Sequence, residues 1–332
     1  MLPLIPGKKR GDGAMMNLKK ILVAKDFSSC SERALTYALD LSARTNAELH
    51  LFYAQVLYGD PFGPPAYPSD HTERVRAAMK DLVEEKARDQ AHVDLDTLVV
   101  EHVIERDVAA APAILAYAEA QEVDLIVMGT HGRRGLRHLV LGSVAEEVVR
   151  HAPCPVMTVC ERAERPQEVH GASSVLAPID FSRHAQEALR YGKTLANLYG
   201  ARLDLLHVVE ELLHPAFYNT GVFSMYDIEP EIEDKAYDHL VGLYRDTLGE
   251  PGENVRFEVL SGHASTEIKR YAEEQGTGLI VMATHGLTGL VHLFIGSVAE
   301  KVVRTAPCPV FCVKSFGKSL LDEPTIEEVA FN

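Results

Sequence analysis

Gly129-Thr130-His131-Gly132, followed by nine residues and then Gly142-Ser143, is the stretch whose residue types and spacing best suit chemistry, and that chemistry is anion binding. Lacking Cβ, the glycines let backbone N–H groups close on phosphate oxygens and permit the positive φ angles that curl successive N–H groups into a concavity. Ser143 stands where a helix is expected to begin, near Val144. Its hydroxyl and the first free N–H groups therefore suit terminal phosphates, with the helix dipole assisting. Arg133, Arg134 and Arg137 can supplement the positive charge, and a divalent cation is expected to complete it, although no ligand cluster names that cation's protein contacts. The run Ser143-Val144-Ala145-Glu146 is equally a capping box, which starts a helix without any ligand. Both readings of Ser143 stand at this level.

The segment occurs twice. Thr130-His131-Gly132 returns as Thr284-His285-Gly286, Gly142-Ser143-Val144-Ala145-Glu146 as Gly296-Ser297-Val298-Ala299-Glu300, and Asp26-Phe27-Ser28 as Asp180-Phe181-Ser182, each 154 residues further on. An unchanged offset across three anchors is the mark of a duplicated unit. Asp26 can cap the coming helix or close a turn, but its return at the same strand end favours a ligand-facing role. His131, His138, His285 and His292 fall in the glycine loops, where no spacing forms a metal-ligand set and no carboxylate pairs with them in the sequence; exposed loop histidines are the simpler reading. Cys154 and Cys308 lie in matching Ala-Pro-Cys-Pro-Val segments and are read as packing residues.

At these residues the chain closely resembles the universal stress protein family, whose nucleotide-binding members carry Gly-x-x-Gly, nine residues, then Gly followed by Ser or Thr. The resemblance runs from Leu18 to Lys314 and includes both Asp-Phe-Ser and both Ala-Pro-Cys-Pro-Val segments. It implies ATP, or ADP or AMP, as ligand, with Mg2+. By this resemblance Gly129, Gly132, Gly142 and Ser143 contact phosphates and ribose, with Met128 beside them. Val144 lies against the nucleotide, Asp26 faces the adenine end, and Ala54 offers backbone contacts to the base. The second-copy counterparts are Asp180, Val208, Met282, Ala283, Gly286, Gly296, Ser297 and Val298. Ala283 departs from the motif, and its methyl is either tolerated or crowds ribose and phosphates. Ala24 in place of Pro178 and Val108 in place of Gly262 are smaller departures, expected at the pocket rim.

The elements that must position these residues follow from patterning. In each copy, short β-branched runs alternate with longer helical patterns, which points to a mainly parallel sheet. Strands are expected near Ile21 to Lys25, Glu48 to Ala54, Thr97 to Val103, Leu125 to Gly129 and Val156 to Cys160, with Leu35, Ala38, Leu39, Leu41 and Ala43 on the buried face of the first helix. The fold class is α/β: two tandem doubly wound, Rossmann-like domains, each with a mainly parallel five-stranded sheet, and the family resemblance implies that they are of the adenine nucleotide alpha-hydrolase-like type. Ligands of such sheets sit beyond the carboxyl ends of the strands, where Asp26 and Gly129 can converge. The domains are expected at residues 18–160 and 174–314, with a flexible leader at 1–17, a linker at 161–173 and a tail at 315–332. The duplication suggests that the domains pack as a pseudo-twofold pair, and the family resemblance implies that they do so through their last strands.

With 332 residues, 46% of them hydrophobic, and no apolar run of membrane-span length, the composition is that of a globular protein. A formal charge of −15 argues against general affinity for nucleic acid. Five cysteines without paired spacing fit a reducing compartment, hence a cytoplasmic location. A phosphate cradle without an evident nucleophile or general base points to a nucleotide-dependent regulator acting on a protein partner. A slow ATP hydrolase or phosphotransferase and a nucleotide-free structural protein are the alternatives. Homo-oligomerisation, as a dimer, is expected from the apolar last strands.

Overall fold

The computed structural model describes residues 16–56, 70–131, 141–160, 174–210, 229–284, 295–314 and 316–321. In the first copy the order is β1 (Lys20–Ala24), α1 (Ser29–Thr45), β2 (Glu48–Val56), α2 (His71–Arg88), β3 (Val100–Asp107), α3 (Ala110–Ala120), β4 (Leu125–Gly129), α4 (Ser143–His151) and β5 (Val156–Val159). The second copy repeats it as β6 (Ser174–Pro178), α5 (Arg183–Tyr199), β7 (Arg202–Val209), α6 (Ile232–Leu248), β8 (Val255–Ser261), α7 (Ala264–Glu274), β9 (Leu279–Ala283), α8 (Ser297–Thr305) and β10 (Val310–Val313).

All ten strands form one sheet in the order β3-β2-β1-β4-β5-β10-β9-β6-β7-β8. Pairing is parallel within each copy and antiparallel only at the seam, where Thr158 faces Val310, Met157 faces Phe311 and Val156 faces Cys312. Moving each residue by 154 maps this set of pairs onto itself, so the pseudo-twofold axis passes through the Met157–Phe311 pair. The apolar last strands therefore cover each other inside the chain.

Each face of the sheet carries its own core, and each core runs through both copies. One packs α1, α2, α5 and α6 through residues such as Leu35, Leu39, Met79, Leu189 and Tyr244. The other packs α3, α4, α7 and α8 through Ile114, Val148, Ile268 and Val302. Continuous apolar runs such as Leu125-Ile126-Val127-Met128 suit strands buried on both faces. Helices α1 and α5 start and stop by equivalent devices. Ser28 and Ser182 accept the N–H of Ser31 and Ala185 at 3.2 and 3.1 Å, and left-handed Asn46 and Gly200 end the two helices.

The third strand differs from expectation by about one turn. Thr97 and Leu98 donate to the Asp94 carbonyl in a turn, which delays the strand to Val100, and it then runs on through polar residues to Asp107. As the outer edge of the sheet it is half exposed, which hides the apolar alternation that would mark it.

Two segments read as leader and tail contain packed residues. Met16 bridges Leu321, Asn17 donates to the Leu320 carbonyl at 2.7 Å, and Leu320 donates to the Tyr191 hydroxyl at 2.6 Å. The Lys318 backbone N–H reaches the Pro153 carbonyl at 2.9 Å while its ammonium pairs with Asp124, a buried carboxylate that also accepts the N–H groups of Lys19 and Lys20. Residues 316–321 thus strap the end of the second copy onto the first.

Candidate functional site

The C-terminal ends of β1, β2 and β4 and the N-terminus of α4 enclose a cavity of roughly 770 Å³, within the range of small-molecule sites. Asp26, Ala54, Met128, Gly129, Gly142, Ser143 and Val144 all line it, so the structure brings together every described residue of the first expected site. Gly132 lies outside the described residues, as do His138, Arg133, Arg134 and Arg137.

A short network holds the mouth. Asp26 Oδ1 accepts the backbone N–H of Ser28 at 3.0 Å and its hydroxyl at 2.6 Å, which requires a left-handed Phe27 at φ 61°. Asp180 accepts the Ser182 N–H at 3.0 Å over a Phe181 at φ 60°. The turn reading of Asp26 is therefore correct, and it leaves the carboxylate on the cavity wall. The Ser28 hydroxyl also lies 3.4 Å from the His131 carbonyl, linking the first turn to the loop after β4. There Gly142 donates to the Thr130 carbonyl at 2.9 Å, and a Cβ on Gly142 would stand 2.9 Å from that same oxygen.

The capping-box reading of Ser143 is overturned. Gly142 is the N-cap of α4, Ser143 is its first helical residue, and Glu146 pairs with Arg150 instead of reaching back. Among the described residues nothing occupies the exposed Ser143 hydroxyl. The amides of the first turn have no intrahelical partner. Hydroxyl, amides and dipole together offer an anion one coherent set of donors.

Lys25 went unnoticed in the sequence because it ends an apolar strand, where a lysine reads as the first loop residue. Comparison with Ile179, its counterpart, was the available signal. It is buried, donates to Ser31 Oγ at 3.2 Å, lies 3.7 Å from Glu32 and sits 5.0 Å over the Phe27 ring. Burial lowers its pKa to about 8, against the opposing pull of Glu32 and Asp26. Because the folded pKa is below the unfolded 10.5, the charged amine costs stability at neutral pH, and this cost fades as pH rises from 8 to 10.5. Lys25→Met is thus expected to gain about 1–2 kcal/mol at pH 7, discounted for the open cavity beside the amine. Urea unfolding at pH 7 and above 10.5 checks it; a gain that does not shrink at the higher pH would assign the effect to packing.

In the second copy, Asp180, Val208, Met282 and Ala283 lie at or next to the ends of β6, β7 and β9, and Gly296, Ser297 and Val298 open α8. Gly286, His285 and His292 are outside the described residues. The Ala283 question has a geometric answer. At the matching Gly129 a Cβ would point at α1, 2.6 Å from Cys30 Cβ, and Ala283 packs on the same face of the sheet. Its methyl therefore lies on the helix-packed face of the sheet. The strand pairing also differs between the copies: β1 pairs with β4 as far as Ala24–Met128, whereas β6 pairs with β9 only to Leu176–Ile280, before Pro178. Of the two rim departures, Ala24 lines the cavity, but Val108 is 80% exposed and does not.

The family model of the universal stress proteins matches residues 17–159 and again 172–314. The chain belongs to the universal stress protein family. A universal stress protein of Methanocaldococcus jannaschii, MJ0531, is 34% identical over 142 residues, covering 42% of this chain and 81% of that protein. At the level of fold, a functionally unknown Pseudomonas aeruginosa protein, PA1789, covers 90% of this chain and 94% of its own at a TM-score of 0.62 and 20% identity. A universal stress protein of Archaeoglobus fulgidus covers 89% and 98% at 0.57 and 21%. This universal stress protein is therefore a tandem member, with both family units in one sheet. No helix among its described residues is long and apolar enough to cross a membrane.

Proposed function

We propose that this universal stress protein is a stress-response regulator whose first copy binds an adenine nucleotide, ATP with Mg2+, and presents a nucleotide-dependent surface to a protein partner. One observation carries the reading: a single cavity has a carboxylate, Asp26, at one wall and the donor-rich start of α4, Gly142 to Val144, at another. A carboxylate suits the hydroxyl and amine donors of a nucleoside, and the helix start suits its phosphates. Apolar Met128, Ile114 and Val144 supply walls for the base and ribose. When bound, Mg2+ would neutralise the phosphate charge that the helix dipole meets only in part. Differential affinity of nucleotide for two loop arrangements would drive the switch.

The hydroxyl–base contacts among the described lining residues, Ser28 with Asp26 and Ser31 with Lys25, belong to the turn and N-cap that start α1, which supports regulation over slow hydrolysis or phosphoryl transfer. Calorimetric titration with ATP and Mg2+, beside chromatography of nucleotide released from freshly purified protein, tests the proposal. Ser143→Ala is expected to weaken binding about 5- to 20-fold by removing one hydroxyl contact to a charged group. Absence of binding at millimolar ATP would overturn the reading, and affinity indifferent to Ser143 would move the phosphates elsewhere in the cavity.

A further inference from the structure

At the opposite end of the sheet, remote from the cavity, Glu48 opens β2, His50 follows on the same face, and Glu101 sits opposite His50 on β3. One ligand-type atom from each lies within 4.8 Å of the others. His50 is 1% exposed, yet its Nε2 has no hydrogen-bond partner and stands 3.5 Å from Glu48 Oε1. Its Nδ1 is fixed 2.7 Å from the Tyr117 hydroxyl, with Glu101 Oε2 3.7 Å away. A buried ring nitrogen beside the Glu48 carboxylate without a hydrogen-bond partner is costly as it stands.

The duplication supplies an internal control. The equivalent positions on β7 and β8 are Arg202, Asp204 and Arg256, beside Tyr271 where the first copy has Tyr117. There the buried carboxylate of Asp204 receives two bonds from the Arg202 guanidinium, and Arg256 lies over the Tyr271 ring. One cation, Arg202, satisfies the buried carboxylate of the second-copy cluster, while Arg256 is bonded to Glu258 and Gln275 beside it. In the first copy those arginines are Glu48 and Glu101, while the neighbouring Lys20 ammonium is turned to the Gln121 carbonyl at 2.7 Å.

We propose that a divalent transition ion, with Zn2+ as the best match, supplies the missing cation, bound by Glu48, His50 and Glu101. Imidazole plus two carboxylates is a donor set suited to zinc, with the fourth position open to water. Ligand atoms bonded at about 2.1 Å in a tetrahedron stand about 3.4 Å apart, close to the Nε2–Glu48 separation, and both glutamates are exposed enough to rotate inward. The Nδ1–Tyr117 contact is the outer partner that orients a metal-bound histidine. Such an ion would pin the outer strand β3 to β2 and would act independently of nucleotide.

The test is calorimetric titration of the metal-free full chain with Zn2+ alone, with elemental analysis of the dialysed protein. One zinc per chain at micromolar or tighter affinity is expected. It should weaken at least about tenfold in Glu101→Gln and in the Glu48→Gln/Glu101→Gln pair, both at exposed side chains that the fold does not need. A zinc-dependent rise in melting temperature should appear in the parent and vanish in the pair. Failure of the parent to take up zinc at micromolar concentration, or a smaller loss in the variants, overturns the site. Titration of the same samples with ATP separates this outcome from failure of the nucleotide proposal.

Discussion

Gly129→Ala is expected to destabilise the chain by about 2–3 kcal/mol and to abolish nucleotide binding at the first copy, whereas Ala283→Gly at the matching position should change stability by less than about 1 kcal/mol. The asymmetry comes from what the added carbon meets. At position 129 it would lie 2.6 Å from Cys30 Cβ, 2.9 Å from Cys30 C and 3.0 Å from Ser31 N. Two of these are backbone atoms at the start of α1, so no side-chain rotation relieves the contact. The helix must move, and it carries the Ser28 cap and the Asp26 turn with it. Cys30→Ala keeps the obstructing Cβ and should not rescue the variant. Urea unfolding and ATP calorimetry on the two variants check the prediction, and equal small effects would show that α1 is not held tightly against β4.

Gly317→Ala should cost about 3 kcal/mol through a different element. Gly317 has φ 88°, where a side chain is strained, and a Cβ there would overlap the Pro153 carbonyl oxygen. Strain and overlap act together, so the strap of residues 316–321 must lift from the first copy. Lifting removes the Lys318 ammonium from Asp124, leaving a buried carboxylate with backbone donors alone, and separates Leu320 from Tyr191. Hydrogen exchange at the Leu320 amide should accelerate in parallel with the loss of urea stability. Unchanged exchange would mean that the strap accommodates the methyl in place.

Much of the architecture is legible in the sequence because the repeat and the strands buried on both faces leave few alternatives. Leu125 to Gly129 is a strand with the expected bounds, since an apolar run of that length between turns has little else to be. Met157 and Phe311 mark the seam expected from the apolar last strands. The edge strand was displaced because its residues answer to solvent on one side and its start to the turn at Asp94. At the site, motif spacing reached Asp26, Gly129, Gly142 and Ser143, which the cavity unites. It missed Lys25, whose place depends on Ser31 and Glu32 in the first turn of α1, and of its two readings of Ser143 the capping box is not what the backbone adopts. Whether serine or the glycine before it ends the non-helical backbone is a matter of one φ/ψ pair that composition does not encode. The Glu48–His50–Glu101 cluster escaped notice because its members meet only through the register of β2 with β3.

The antiparallel seam between β5 and β10 has an evolutionary consequence. Two separate chains of one gene must share every substitution, so a change helpful in one site is imposed on its twin. Covalent fusion ends that constraint and holds the halves at a local concentration independent of how much protein the cell makes. The halves have already used this freedom: lysine against isoleucine at Lys25 and Ile179, glycine against alanine at Gly129 and Ala283, glutamates against arginines at the far end of the sheet. A fused pair can keep one half committed to its ligand while the other drifts toward a different task.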